Sequence, residues 1–120
     1  MNLTEYNVMP EGDTKLAVRT AVTMGWRVTA VFSDFLVVAD WDKHGFADEP
    51  FDPFTDASIP YGLIGRGVFT VTESKSGRSM ATVGFGTPWA YSSESKTHAI
   101  LNAYCAADPS GHWAKFLKGE

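Results

Sequence analysis

The residues best suited to chemistry lie between positions 40 and 56, where carboxylates and aromatic rings are mixed. Three of them match positions 1, 3 and 9 of a calcium-binding EF-hand loop: Asp40, Asp42 and Asp48. Position 5 is His44 and position 12 is Phe51, and neither is the oxygen ligand that the loop requires. We therefore predict no metal and no other cofactor. A calcium site is the alternative, and a shift in melting temperature on addition of the metal would reveal it.

The same segment fits a surface that binds another protein. Aromatic rings supply buried anchors at such surfaces, and carboxylates steer a basic partner during encounter. The residues of this candidate surface are Asp42, His44, Phe46, Asp48, Glu49 and Asp52. A purely structural alternative is a solvated loop over 42–63 that covers a sheet edge, with Phe46, Phe51 and Phe54 as anchors to the core.

A second candidate site follows the predicted strand that ends near position 85. A ring for stacking and free amides at a helix start would suit a nucleotide or another anionic small molecule. The residues that supply these groups are Gly86, Trp89, Tyr91, Ser92 and Ser93. The structural alternative is that the two rings cover the end of the core.

No catalytic constellation is evident. The histidines His44, His98 and His112 are not three or four residues from one another or from Cys105, so no zinc site of usual spacing is predicted. The chain also lacks a Gly-x-Ser-x-Gly nucleophile motif and the glycine-rich phosphate loops. These patterns favour a protein without catalysis, although they leave the question of an enzyme open.

The charge and composition of the chain limit the classes of molecule that it is expected to bind. Fourteen acidic and ten basic side chains give a net charge of -4 and a pI near 5.3, which disfavours nucleic acid and anionic lipid. The longest apolar stretch, 35–39, is far below the roughly 18 residues of a membrane span. The single Cys105 and the absence of a signal-peptide pattern at the start predict a cytoplasmic protein.

Hydrophobic periodicity predicts the elements that position these residues. A helix capped by Asp13 and stopped by Gly25 has apolar residues at three- and four-residue spacing. Alternating apolar residues then predict two hairpins, and Ser92 or Ser93 is expected to cap the next helix. The predicted ranges are a helix over 14–24, strands over 26–32 and 35–41, strands over 67–73 and 79–85, a helix over 94–107, and a short helix after Ser110.

The sequence thus predicts one α+β domain over 1–120, with a four-stranded antiparallel sheet made of two hairpins and helices packed on one face. The element order is α-β-β-loop-β-β-α-α. The first hairpin is expected to form its centre, with Ala30 opposite Val37 and Val28 opposite Ala39. The function expected is non-catalytic binding of another protein, as by an inhibitor, immunity factor or phage-encoded modulator. The alternative is a small-molecule or nucleotide-binding domain, and a homo-oligomer is compatible with either.

Overall fold

The computed structural model describes the backbone of residues 1–33, 36–39, 49–64, 68–73, 79–83, 89–93 and 95–119, and side chains within 1–33, 49–64 and 95–119. The elements in chain order are α1 (Leu3–Asn7), α2 (Asp13–Thr23), β1 (Arg27–Val31), β2 (Leu36–Ala39), β3 (Glu49–Phe51), α3 (Ser58–Leu63), β4 (Val68–Glu73), β5 (Ser79–Val83), β6 (Trp89–Ser93), α4 (Lys96–Ala107) and α5 (His112–Leu117).

These elements belong to two compact units. Unit 1 consists of Met1–Asp52 together with Ser110–Glu120, and unit 2 consists of Pro53–Pro109. The prediction of a single domain stays a prediction, because two compact units of one chain can unfold together or separately.

Helix α2 buries one apolar face in unit 1. Its apolar residues recur at three- and four-residue spacing, so that Ala17, Val18, Ala21 and Val22 are all buried, as the sequence predicts. The helix begins one residue earlier than expected, and Asp13 is its first residue rather than its cap. Beyond the other end, the backbone of Gly25 has a φ of 93°, a conformation that glycine adopts without steric cost.

The sheet of unit 1 has the order β1-β2-β3, with both pairs antiparallel. Ala30 pairs with Val37 as predicted. A shift in register between Val28 and Ala30 then makes Val28 pair with Val38 instead of Ala39. The predicted core face is also only partly correct, because Val28 is buried whereas Phe32 is 50% exposed.

Unit 2 has its own sheet, with the antiparallel order β4-β5-β6, and α4 contacts all three strands. The buried side of α4 consists of Ala99, Ile100, Leu101, Ala103, Tyr104 and Cys105. The helix predicted over 94–107 is therefore confirmed. The sequence predicts its buried stripe as Thr97, Ile100, Leu101 and Tyr104, and the last three are buried whereas Thr97 is half-buried.

The prediction of one four-stranded antiparallel sheet is wrong. The described strands form two separate three-stranded sheets instead. The physical reason is that each predicted hairpin gains a third strand from a segment that the sequence pattern assigned to a loop: β3 joins β2, and β6 joins β5. A two-stranded hairpin is only marginally stable alone. A third strand from a nearby segment stabilises each hairpin, so the two hairpins need not pair with each other.

Among the residues that the structure describes, no helix combines the length and the apolar character that a membrane span requires.

Candidate functional site

The structure describes only the C-terminal part of the acidic surface that the sequence predicts as a protein-binding site. Glu49 is exposed in β3 and Asp52, one residue after the strand, is half-buried. The other predicted members, Asp42, His44, Phe46 and Asp48, lie outside the described residues.

Strand β3 fixes the position of Glu49. The strand pairs with β2 through Val38 and Glu49 at one end and Leu36 and Phe51 at the other. Phe51 is only 5% exposed, which confirms its predicted role as an anchor to the core. The Glu49 carboxylate is therefore carried on a paired, anchored strand rather than on the continuous loop predicted over 42–63.

Phe54 is also an anchor, within unit 2. Its ring centre lies 4.9 Å from that of His98 on α4, at an interplanar angle of 40°.

The remainder of the predicted loop contains α3, which begins after an exposed turn. In this turn the Asp56 carboxylate accepts hydrogen bonds from the backbone N–H and the hydroxyl of Ser58, at 3.1 and 2.6 Å. These local bonds explain why a segment without clear periodicity still forms a helix at this point.

The structure removes part of the argument for the predicted nucleotide-binding site, namely the serine cap at the start of the helix. Ser92 and Ser93 lie in β6, where they pair with Met80 and Ser79, so neither is the cap of α4. The cap is Ser95, whose Oγ accepts a hydrogen bond from the backbone N–H of His98 at 3.4 Å. All three serines are suitable caps by type, and only strand pairing decides among them. Trp89 and Tyr91 belong to the same strand, and Gly86 lies outside the described residues. Ligand binding here stays a prediction.

Sequence reasoning missed a cavity in unit 1, which we call the α5 cavity. Its volume is about 430 Å³. The described residues that line it are Met1, Val22, Gly25, Trp26, Arg27, Val28, His112, Lys115 and Phe116. These come from three stretches of chain separated by up to about a hundred residues, so no local motif announces them.

The polar groups of the α5 cavity are basic. Arg27 and Lys115 are exposed cations, and none of the nine described lining residues carries a carboxylate. The Nδ1 of His112 donates a hydrogen bond to the carbonyl oxygen of Thr23 at 3.3 Å, which orients the ring. The amino group of Met1 donates to the carbonyl oxygen of Val28 at 2.9 Å.

Two other cations of unit 1 are engaged with neighbouring side chains. The Nζ of Lys15 lies 2.9 Å from a carboxylate oxygen of Glu11 and 4.9 Å from the centre of the Tyr6 ring. The guanidinium of Arg19 lies 5.0 Å from the centre of the Trp113 ring. These side chains therefore pack on α1 and α5 instead of forming a free basic stripe along α2.

Metal-binding geometry is missing from the part of the chain that the structure describes, where no three histidine, cysteine, aspartate or glutamate residues are grouped suitably. Cys105 is buried at 1% exposure, and a helix cysteine buried in this way behaves mostly as a small apolar side chain, which is what the sequence favours for it over a nucleophile. Comparisons with protein-family models, curated proteins and solved structures find no match for this chain.

Proposed function

We propose that the protein is a non-catalytic module that binds another protein through its acidic edge, which we define as Glu49, Pro50 and Asp52. The observation that carries this proposal is the pairing of exposure and anchoring in β3: Glu49 and Pro50 are exposed, while Phe51 of the same three-residue strand is buried. Such an arrangement presents a carboxylate from an ordered strand and lowers the entropy lost when a partner binds.

The strand chemistry indicates how the partner makes contact. Strand β3 is at the end of the described β1-β2-β3 order, where a further strand could add to the sheet. Pro50 has no N–H group, and proline on an edge discourages such strand addition. The partner therefore contacts side chains of the acidic edge rather than extending the sheet.

Charge supports a basic partner. The whole chain carries a net charge of -4, and the acidic edge follows a stretch with further carboxylates at Asp40, Asp42 and Asp48. Complementary charge chiefly increases the rate of association, and it does so less at high salt. An inhibitor, an immunity factor or a phage-encoded modulator that acts on a basic surface fits this description.

The first experiment identifies the contact. A photo-crosslinking amino acid is placed at Pro50, and in a control protein at Glu5, which is exposed in α1 of the same unit. After irradiation in a lysate of the source organism, position 50 should give a discrete crosslinked protein that position 5 does not give. Identical crosslinks from both positions would argue against a specific surface at β3.

The second experiment tests the charge with the crosslinked partner in purified form. We expect Glu49→Lys to slow association several-fold and to weaken its dependence on salt, because charge at an interface acts mainly on encounter. Glu5→Lys changes the net charge by the same amount, so it controls for the overall field. Equal association rates for the two variants would contradict the proposed role of the acidic edge.

A further inference from the structure

We propose that the α5 cavity binds a small organic anion with a planar, aromatic body. This site is separate from the acidic edge and does not depend on the function proposed for it. The proposal stands on the size of the cavity, the sign of its charge and the rings that form its apolar lining.

The size suits a small molecule. A volume of about 430 Å³ lies within the range of roughly 300–1,000 Å³ that is usual for ligand pockets. The cavity is open to solvent on one side, where its exposed lining residues Arg27 and Lys115 lie, so a ligand can enter it without a change in the fold.

The charge of the lining selects an anion. Arg27 and Lys115 form no ion pair with any residue that the structure describes, and the described lining contains no carboxylate. Together with the amino group of Met1, they give the described lining a positive charge and no counter-charge of its own. A carboxylate, sulfonate or phosphate group would supply it, and the planar guanidinium of Arg27 can donate two parallel hydrogen bonds to such a group.

The rings of the lining select an aromatic body. Trp26 and Phe116 are both half-buried at the cavity, beside the buried side chains of Val22 and Val28. Mostly apolar walls with a few polar groups are typical of sites that take aromatic ligands.

Phe116 is held in place before any ligand binds. Its ring stacks on that of Trp113, with centres 5.2 Å apart and an interplanar angle of 25°. The Tyr6 ring meets it edge-on at 6.2 Å. The hydrogen bond from His112 to Thr23 similarly orients a second lining residue of α5. A lining fixed in this way loses little conformational entropy on binding.

The test uses 1-anilinonaphthalene-8-sulfonate, an aromatic sulfonate, and its uncharged analogue N-phenyl-1-naphthylamine. Both fluoresce more strongly in an apolar site. We expect the wild-type protein to bind one equivalent of the sulfonate, and to bind it at least about tenfold more tightly than the neutral analogue, because only the sulfonate can meet Arg27 and Lys115. Shifts in the amide NMR signal of Gly25 and the indole signal of Trp26 should accompany binding.

The variant Arg27→Gln/Lys115→Gln removes both side-chain cations of the lining, and both side chains are exposed, so the fold should tolerate the change. We expect it to bind the sulfonate about tenfold more weakly and the neutral analogue within twofold of wild type. Lys118→Gln, which removes an exposed cation outside the lining, should leave both affinities within twofold. Circular dichroism and the melting temperature confirm that each variant is folded.

Several results would overturn the proposal. They are an absence of saturable sulfonate binding by the wild type, equal affinity for the charged and neutral probes, and NMR shifts that avoid Gly25 and Trp26. Equal losses of affinity in Lys118→Gln and in the single variant Lys115→Gln, which change the net charge by the same amount, would show a response to net charge only, which also contradicts a site at the α5 cavity.

Discussion

Tyr6 and Trp113 meet edge to face, with ring centres 5.0 Å apart and an interplanar angle of 73°. The two residues are separated by more than a hundred positions in the chain, and their contact joins α1 to α5. Trp113 is 8% exposed and also stacks on Phe116, so the ring connects both terminal helices of unit 1.

Trp113→Ala should therefore destabilise unit 1 by about 3–5 kcal/mol, because it leaves a large cavity and removes two aromatic contacts. Urea denaturation, followed by the fluorescence of the other tryptophans, measures the change. Leu117→Ala is the control, since Leu117 is 49% exposed in the same helix and should cost less than about 1 kcal/mol. Similar losses for the two variants would show that α5 does not pack through Trp113.

Arg19→Met should change the free energy of unfolding by less than about 1 kcal/mol. The variant loses a cation–π contact with Trp113, worth roughly 0.5–1 kcal/mol. It also removes the Nε–H of Arg19, which is buried without a hydrogen-bond partner among the described residues and whose burial is itself costly. These two effects have opposite signs, and methionine retains the apolar contact of the stem. A loss above about 2 kcal/mol in urea denaturation would mean that the charge contributes much more than we infer.

Ser95→Ala should destabilise the protein by about 0.5–1 kcal/mol, because it removes the side-chain cap of α4. The low end of the usual range is expected since the capping distance is 3.4 Å. Ser110→Ala provides the matched control. Serine is a suitable cap by type for the short helix predicted after Ser110, but the residue at the cap position of α5 is Gly111, and no side chain caps that helix. Thermal unfolding should therefore separate the two variants, and a larger loss for Ser110→Ala would refute this assignment of caps.

Cys105 should react with a soluble thiol reagent only when unit 2 opens. At 1% exposure its Sγ is out of reach in the folded protein, so the native rate should be at least on the order of a hundredfold below that in urea. Absorbance after addition of an aromatic disulfide reagent measures both rates. Immediate modification of the native protein would show that α4 is not packed over its sheet as described.

The protein should not bind duplex DNA or RNA at physiological salt. The closest approach to a basic stripe in the sequence is Lys15, Arg19 and Arg27, and the first two of these cations pack on aromatic rings. Fluorescence anisotropy with a labelled duplex measures the affinity, with a basic DNA-binding protein as positive control. Micromolar affinity that falls steeply with added salt would contradict the prediction.

The sequence predicted the elements whose apolar residues repeat clearly. In α2, four buried residues recur at helical spacing, and the Ala30–Val37 pairing follows from strict alternation. The pattern gave no indication of β3, which is three residues long and contains Pro50, or of α1, which has only five residues. Periodicity needs more than one or two repeats to be recognised.

The error in the sheet follows from the same limit. Without β3 and β6, the two hairpins have no other strands to pair with, so joining them is the simplest arrangement that the pattern allows. The α5 cavity is beyond sequence reasoning for a different reason: Arg27 and Lys115 lie 88 positions apart, and only tertiary packing places them at one cavity.

The composition of unit 1 from two separate stretches has a consequence for the order of biosynthesis. Residues 53–109 are contiguous, so all of unit 2 has been translated before α5 leaves the ribosome. After helix α2 has been synthesised, almost ninety further residues are therefore translated before its packing partner Trp113 is available. During that interval the apolar face of α2 lacks the cover that α5 later provides, which makes the nascent chain, rather than the finished protein, the form most exposed to aggregation and to chaperones.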